Sequence, residues 1–262
     1  MKIKTLCFII IFLSFFLFAC EKQLNAESSV NTISPTISIT HSWQEMISDS
    51  FLSYKDAKGN IYFSYDEQEI WRVDNATQES TLMITGLYYG LSFCINDNYI
   101  YYFTPEKTLV KASIENPSEK EVVLSQEQLG GFGAPKDLAV CGDFFVYRDI
   151  GTIAYLFDLK KSERYQLHDD VDSMAIWNNK LYFVEHARRT FSLYRKPLDQ
   201  PDAQPELLLG KGSTWHNEDS GKEFSIPKIY SVYVEDDRLF FTQNNGELWE
   251  FKEDGKHKLI KP

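Results

Sequence analysis

The sequence predicts an all-β fold: a β-propeller of four-stranded antiparallel blades. Five blades is the expected number, with six, or an incompletely closed ring, as the alternative. Three observations predict it. An aromatic-rich strand recurs five times after a polar turn residue, each copy has the same strands before and after it, and no long segment carries helical periodicity with caps at its ends.

In chain order, the first element is an address rather than structure. Lys2 and Lys4 precede an apolar run of thirteen residues, Leu6 to Phe18, broken only by Ser14. That length is short for a membrane-spanning helix and right for the core of a secretion signal. The run ends in Leu17-Phe18-Ala19-Cys20, which resembles the lipobox of bacterial lipoproteins. The resemblance implies cleavage before Cys20 and acylation there, with palmitate among the chains. It also implies a lipid anchor in a cell membrane or outer membrane, the domain facing away from the cytoplasm. Several acyl chains hold a soluble domain where a single one would not. From Glu21 to Thr40 the composition turns to Ser, Thr, Asn and Glu with Pro35, which reads as a flexible tether. The expected organisation is a signal peptide over 1–19, lipidated cysteine and tether over 20–40, and propeller over 41–262. Ile37 to Trp43 regains some alternation, enough for a first strand.

The repeated strand reads Asn60-Ile61-Tyr62-Phe63, Asn98-Tyr99-Ile100-Tyr101-Tyr102, Asp143-Phe144-Phe145-Val146-Tyr147, Asn179-Lys180-Leu181-Tyr182-Phe183 and Asp237-Arg238-Leu239-Phe240-Phe241. From Ile61 through Ile100, Phe145 and Leu181 to Leu239 the steps are 39, 45, 36 and 58 residues. A short strand and a tight turn rich in Asn and Asp precede most copies, and those residues supply the positive φ of a two-residue hairpin. An alternating strand follows, such as Glu69 to Val73 or Glu247 to Phe251, and then a fourth, such as Thr81 to Ile84 or Lys258 to Lys261. Four short strands in about forty residues is the size of a propeller blade, which buries its two apolar faces only by stacking. These repeats resemble the propeller repeats of bacterial proteins with a domain of unknown function, related to the propellers of low-density-lipoprotein-receptor proteins. The resemblance covers roughly residues 50 to 262. It departs from the six-bladed receptor pattern in offering five repeats and no Tyr-Trp-Thr-Asp motif, and the stretch from Gln200 to Lys228 is too short to hold a sixth blade.

Composition bounds function. Aromatic residues make up 15% of the chain, as in a strand-rich protein with a substantial core. The net charge of −11 becomes −13 when Lys2 and Lys4 leave with the leader, so nucleic acid is excluded as a partner on electrostatic grounds. Cys94 and Cys141 fall on inner strands of neighbouring repeats and read as buried free thiols, with a bridge between them as the alternative that export allows.

Propellers usually bind at one end of the axis, where two sets of loops meet. One set runs from each blade's last strand to the next blade's first, the other from second to third strand. Residues 85–90, 125–137, 168–173 and 210–228 belong to the first set, and 65–69, 104–107, 148–152, 185–189 and 243–246 to the second. The candidate ligand-binding residues gather there: Tyr88, Tyr89, Phe132, His168, Asp170, His186, Arg188, Trp215, His216 and Glu218. Trp215-His216-Asn217-Glu218-Asp219 sits in the longest loop and offers a ring to stack on a sugar, or else a mobile polar loop packed over the channel mouth. His168-Asp169-Asp170-Val171-Asp172 has oxygen ligands for a cation but not the spacing of a calcium loop, and Asp favours turns in any case. His186 can pair with Asp170 or Asp172 as acid and base, or Glu185 to Arg189 is a charged hairpin tip. Gly130-Gly131-Phe132-Gly133 lacks the helix start and Lys-Ser/Thr of a phosphate loop. Tyr88-Tyr89 lines the mouth or plugs it.

No nucleophile or zinc-protease motif is present. The expectation is therefore a monomeric, membrane-anchored binding or scaffold module for a protein, peptide or glycan, with no cofactor and no metal. The alternative is an envelope enzyme, a polysaccharide hydrolase or lyase, with its site at the central axis.

Overall fold

The computed structural model describes residues 46, 53–56, 58–66, 68–88, 93–130, 135–149, 151–187, 190–210, 214–217, 223–225, 229–235, 237–243, 246–252 and 256–261. The chain divides into two units, residues 1–49 and 50–262. The first is described at Met46 alone, in helical conformation. Cys20 and the expected strand at Ile37 lie outside the described residues.

The second unit is a five-bladed β-propeller. Blade 1 is β1 (Ser53–Lys55), β2 (Ile61–Tyr65), β3 (Glu69–Val73) and β4 (Ser80–Thr85). Blade 2 is β5 (Phe93–Asn96), β6 (Tyr99–Phe103), β7 (Leu109–Ser113) and β8 (Lys120–Leu124). Blade 3 is β9 (Pro135–Cys141), β10 (Phe144–Asp149), β11 (Ala154–Asp158) and β12 (Glu163–His168). Blade 4 is β13 (Val171–Trp177), β14 (Lys180–Ala187), β15 (Thr190–Pro197) and β16 (Glu206–Leu209). A hairpin, β17 (Thr214–Asn217) and β18 (Glu223–Ser225), precedes blade 5, which is β19 (Ile229–Glu235), β20 (Arg238–Gln243), β21 (Leu248–Phe251) and β22 (Lys256–Lys261). Within each blade the strands pair antiparallel in sequence order, so every blade is made from one stretch of chain.

The turn residues explain the hairpins. Asp97, Asn178, Asn179, Asp237 and Gly142 all take positive φ between first and second strands, the conformation that the sharp connection requires. The second strand of each blade then carries the core by alternation. Tyr62 packs with Ile100 and Tyr102 of blade 2, Tyr101 with Phe145 and Tyr147 of blade 3. Val146 packs with Leu181 and Phe183 of blade 4, and Tyr182 with Leu239 and Phe241 of blade 5. Each blade therefore sends alternate side chains of one strand into two different seams. Fully burying one such aromatic contributes about 1.5–3 kcal/mol.

A local irregularity repeats fivefold. Where the fourth strand passes the start of the third, one residue is extra: Met83, Val123, Leu167, Leu208 and Ile260. A bulge strengthens the right-handed twist, and a propeller blade is strongly twisted from axis to rim. The first strands of blades 3, 4 and 5 carry a second bulge, at Lys136, Asp172 and Tyr230.

The buried tyrosines make stability sensitive to alkali. Burial, with Asp56 beside it, pushes the Tyr62 hydroxyl up to about 12, and burial pushes Tyr233 up to about 12. Burial also raises Tyr54 and Tyr147. An unfolded chain loses these protons near pH 10 while the folded one keeps them. Their contribution is therefore fully present below pH 10 and lost as pH rises through about 12. Denaturant midpoints measured at pH 8, 10 and 11 should fall over the last step; equal midpoints at pH 8 and 11 would contradict this.

Candidate functional site

At the end of the propeller where second strands turn into third strands, each blade presents a row of three cross-strand neighbours. In blade 2 these are Phe103, Leu109 and Leu124, and in blade 4 Val184, Leu193 and Leu209, all buried. In blade 1 they are Ser64, Ile70 and Ile84. Two blades break the pattern: the row is Arg148, Ala154 and His168 in blade 3, and Thr242, Leu248 and Lys261 in blade 5. The small Ala154 between two large polar side chains leaves room for both.

Arg148 is 4% exposed. Its Nε donates to Asp137 Oδ2 at 2.5 Å and its Nη1 to the Val171 carbonyl of blade 4 at 3.1 Å. Asp137 stands directly opposite it on β9, with a side chain one-third exposed. The guanidinium thus ties two blades together, and its carboxylate partner keeps contact with solvent.

His168 lies across the same seam. Its ring packs on Phe183 at 4.8 Å and Tyr194 at 5.8 Å between centroids, and those two rings stack on each other 16° from parallel. Its Nε2 is 3.0 Å from Glu185 Oε1, and both side chains are partly buried. A carboxylate only accepts, so Nε2 donates. Burial first, and then a hydrogen bond to the Glu185 carboxylate, raise the Tyr194 hydroxyl. At the seam between blades 1 and 2, Tyr102, Thr104 and Val110 take the positions of Phe183, Glu185 and Tyr194. There they line an open groove of about 380 Å³ with Lys120 and Val122.

The expected site residues are distributed as follows. His168 is in the polar row, and its partner is Glu185 of the segment read from the sequence as a charged hairpin tip or as the source of a His186 pair with Asp170 or Asp172. Asp170 is exposed with φ 57° in the link between β12 and β13. Tyr88 is partly buried: its amide donates to the Phe103 carbonyl at 2.8 Å, and it packs against the core shared by blades 2 and 3. The backbone at His186 pairs with Phe191 in the β14–β15 ribbon. Trp215 and His216 differ from expectation: they lie on β17, a strand rather than a loop, and β17 pairs parallel with β22 on the outer edge of blade 5. A free outer strand is a template for one more strand, and the excursion between Leu209 and Ile229 supplies it. Tyr89, Phe132, Arg188 and Glu218 lie outside the described residues, as do the side chains of His186, Trp215 and His216. Cys94 and Cys141 are free thiols; Cys94 is buried and Cys141 partly so. Among the described residues no three His, Cys, Asp or Glu side chains come together as a metal site.

Sequence reasoning gave no role to Arg148, Asp137 or Glu185. The signal was available in the repeat: His168 stands where blades 1, 2 and 4 have Ile84, Leu124 and Leu209, and Arg148 where blades 2 and 4 have Phe103 and Val184.

No protein-family model and no curated protein matches the chain. Among solved structures it is similar to the extracellular domain of a hybrid two-component system from B. thetaiotaomicron, at 15% identity and a TM-score of 0.51, over 81% of this chain and 28% of that one. It is also similar to a nidogen/laminin complex, at 11% identity and 0.45, over 77% and 98%. A third is the N-terminal domain of Nup159, at 15% and 0.44, over 80% and 61%. The chain thus spans less than two thirds of the first and third of these. The first likeness shows the β-propeller fold and nothing finer.

Proposed function

We propose that the protein is an exported lipoprotein, anchored through Cys20, whose propeller is a non-catalytic binding module for a protein, peptide or glycan of the cell envelope. The binding surface is the end of the propeller that carries the polar row of blade 3. The observation that supports this is the replacement of a buried aliphatic by His168, with Glu185 opposite it. A position that blades 1, 2 and 4 fill with Ile84, Leu124 and Leu209 is held here by a hydrogen-bonded histidine–glutamate pair, which adds little stability where it is partly exposed.

The test follows from that contrast. His168→Leu restores what Leu124 and Leu209 supply in blades 2 and 4, so its stability should stay within about 1 kcal/mol of wild type. Chemical cross-linking on intact cells should show partner adducts with the wild-type chain that fall several-fold in His168→Leu. Cys20→Ala should leave the membrane fraction. Undiminished adducts in a folded His168→Leu protein would remove the seam from the binding surface. Polysaccharide turnover that disappears with His168 would make the protein an enzyme. A Cys20→Ala protein that stays in the membrane would remove acylation as the anchor.

A further inference from the structure

The blade 4 hairpin is longer than its counterparts. In blades 2, 3 and 5 pairing between second and third strands stops at Phe103 with Leu109, Arg148 with Ala154 and Thr242 with Leu248. In blade 4 it continues past the equivalent pair, Val184 with Leu193, through three more, ending at Ala187 with Thr190. At about 3.3 Å per residue the ribbon stands about 10 Å above that level.

The side of the ribbon facing blade 5 carries Phe191, which follows Leu193 in alternation and packs at the edge of the core shared by blades 4 and 5. Against it lies Tyr230, the bulged residue of β19, with ring centroids 6.0 Å apart and planes 9° from parallel. The bulge turns Tyr230 out of the ladder, and it is 58% exposed. One face of its ring is therefore backed by Phe191, and the residue is held on a strand and a ribbon rather than on a loop.

We propose that Tyr230, backed by Phe191, is a stacking platform for a pyranose ring, and that the ligand is an uncharged glycan. The proposal rests on the reading of this propeller end as the binding surface, and it names the ligand class. Two observations favour a sugar over a protein partner. The other exposed large apolar residues described, Tyr99, Val122, Leu207, Val234 and Ile260, lie at the opposite end of the strands or on outer strands. Among the described residues Tyr230 thus stands apart from the other exposed apolar side chains, whereas a protein hot spot is set in a contiguous apolar patch. The chain's net charge of −11 disfavours acidic polysaccharides and leaves neutral ones. Backing by a second ring fixes the platform before the ligand arrives, so little side-chain entropy is lost on binding.

The experiment uses the purified full chain and four neutral probes: hexasaccharides of β-1,4-glucose, α-1,4-glucose, β-1,4-xylose and β-1,4-N-acetylglucosamine. At least one should bind by calorimetry. Tyr230→Ala should weaken that binding tenfold or more, while Tyr230→Trp keeps it within threefold and both variants keep the wild-type circular dichroism and melting temperature. Binding that survives Tyr230→Ala, or binding of none of the four probes, overturns the platform. Cross-linked protein adducts that Tyr230→Ala abolishes, without sugar binding, overturn the glycan and leave the binding surface standing. Loss of both adducts and sugar binding in His168→Leu, with Tyr230→Ala silent, places the site at the blade 3–4 seam.

Discussion

Asp137→Ser is expected to destabilise the propeller by about 3 kcal/mol, because it leaves the Arg148 guanidinium buried without its carboxylate. Removing one partner of a buried ion pair typically costs about 3–5 kcal/mol, since the remaining charge keeps its desolvation penalty. The lower end applies here, because Asp137 is one-third exposed and Arg148 also donates to the Val171 carbonyl. Blade 4 supplies the control. Where blade 3 pairs Asp137 with Arg148, blade 4 pairs Ser173 with Val184. The double variant Asp137→Ser, Arg148→Val copies that pair, and should recover most of the loss. Equilibrium denaturation of the wild type and the two variants measures both effects. A single variant as stable as wild type would show that Arg148 is solvated or finds another acceptor.

Most of the fold was legible because a propeller blade is local. Each blade is one stretch of chain, and its second strand announces itself by aromatic residues after a turn residue that tolerates positive φ, as at Asp97 or Asn179. What was not legible was non-local. Residues 210–228, within the 58-residue step before blade 5, were read as a long loop, because Thr214 to Asn217 carries no apolar alternation of its own. Its strand pairing comes from the edge of β22, about forty residues later in the chain. The partners of His168 were not legible. His168 was singled out for being an imidazole in an acidic turn, yet its geometry comes from Glu185 and two rings of the next blade. Arg148 was passed over because it was read as the first residue of the loop 148–152 rather than as part of β10, and only its place in the repeat, level with Phe103 and Val184, marks it as buried. Tyr230 was hidden for a related reason: a bulge reverses the side that alternation predicts, and nothing local in the sequence announces it.

Phe183→Ala is expected to cost about 3–5 kcal/mol, the usual range for emptying a fully buried aromatic site. The second-strand residue just before the row of Ser64, Phe103, Arg148, Val184 and Thr242 is a buried aromatic in all five blades: Phe63, Tyr102, Tyr147, Phe183 and Phe241. In blades 2 to 5 it packs against the preceding blade, so each of those four is a wedge in a seam, and neighbouring blades cannot close on the space that a methyl leaves. For a domain of this size the loss corresponds to a fall in melting temperature of roughly 10 °C. The His168 ring packs on Phe183 and Tyr194 stacks beside it, much as His257 and Trp249 lie against Phe241 in blade 5. Phe183→Tyr should therefore stay near wild-type stability, because Tyr102 and Tyr147 already occupy the position. Phe183→Ala should loosen the His168–Glu185 pair as well as the core. The readout that separates the two effects is partner cross-linking at a temperature where the alanine variant is still folded. If adducts fall as they do in His168→Leu, the aromatic wedge positions the polar row. If adducts persist while stability drops, packing and binding are independent at this seam, and His168 is held by Glu185 alone.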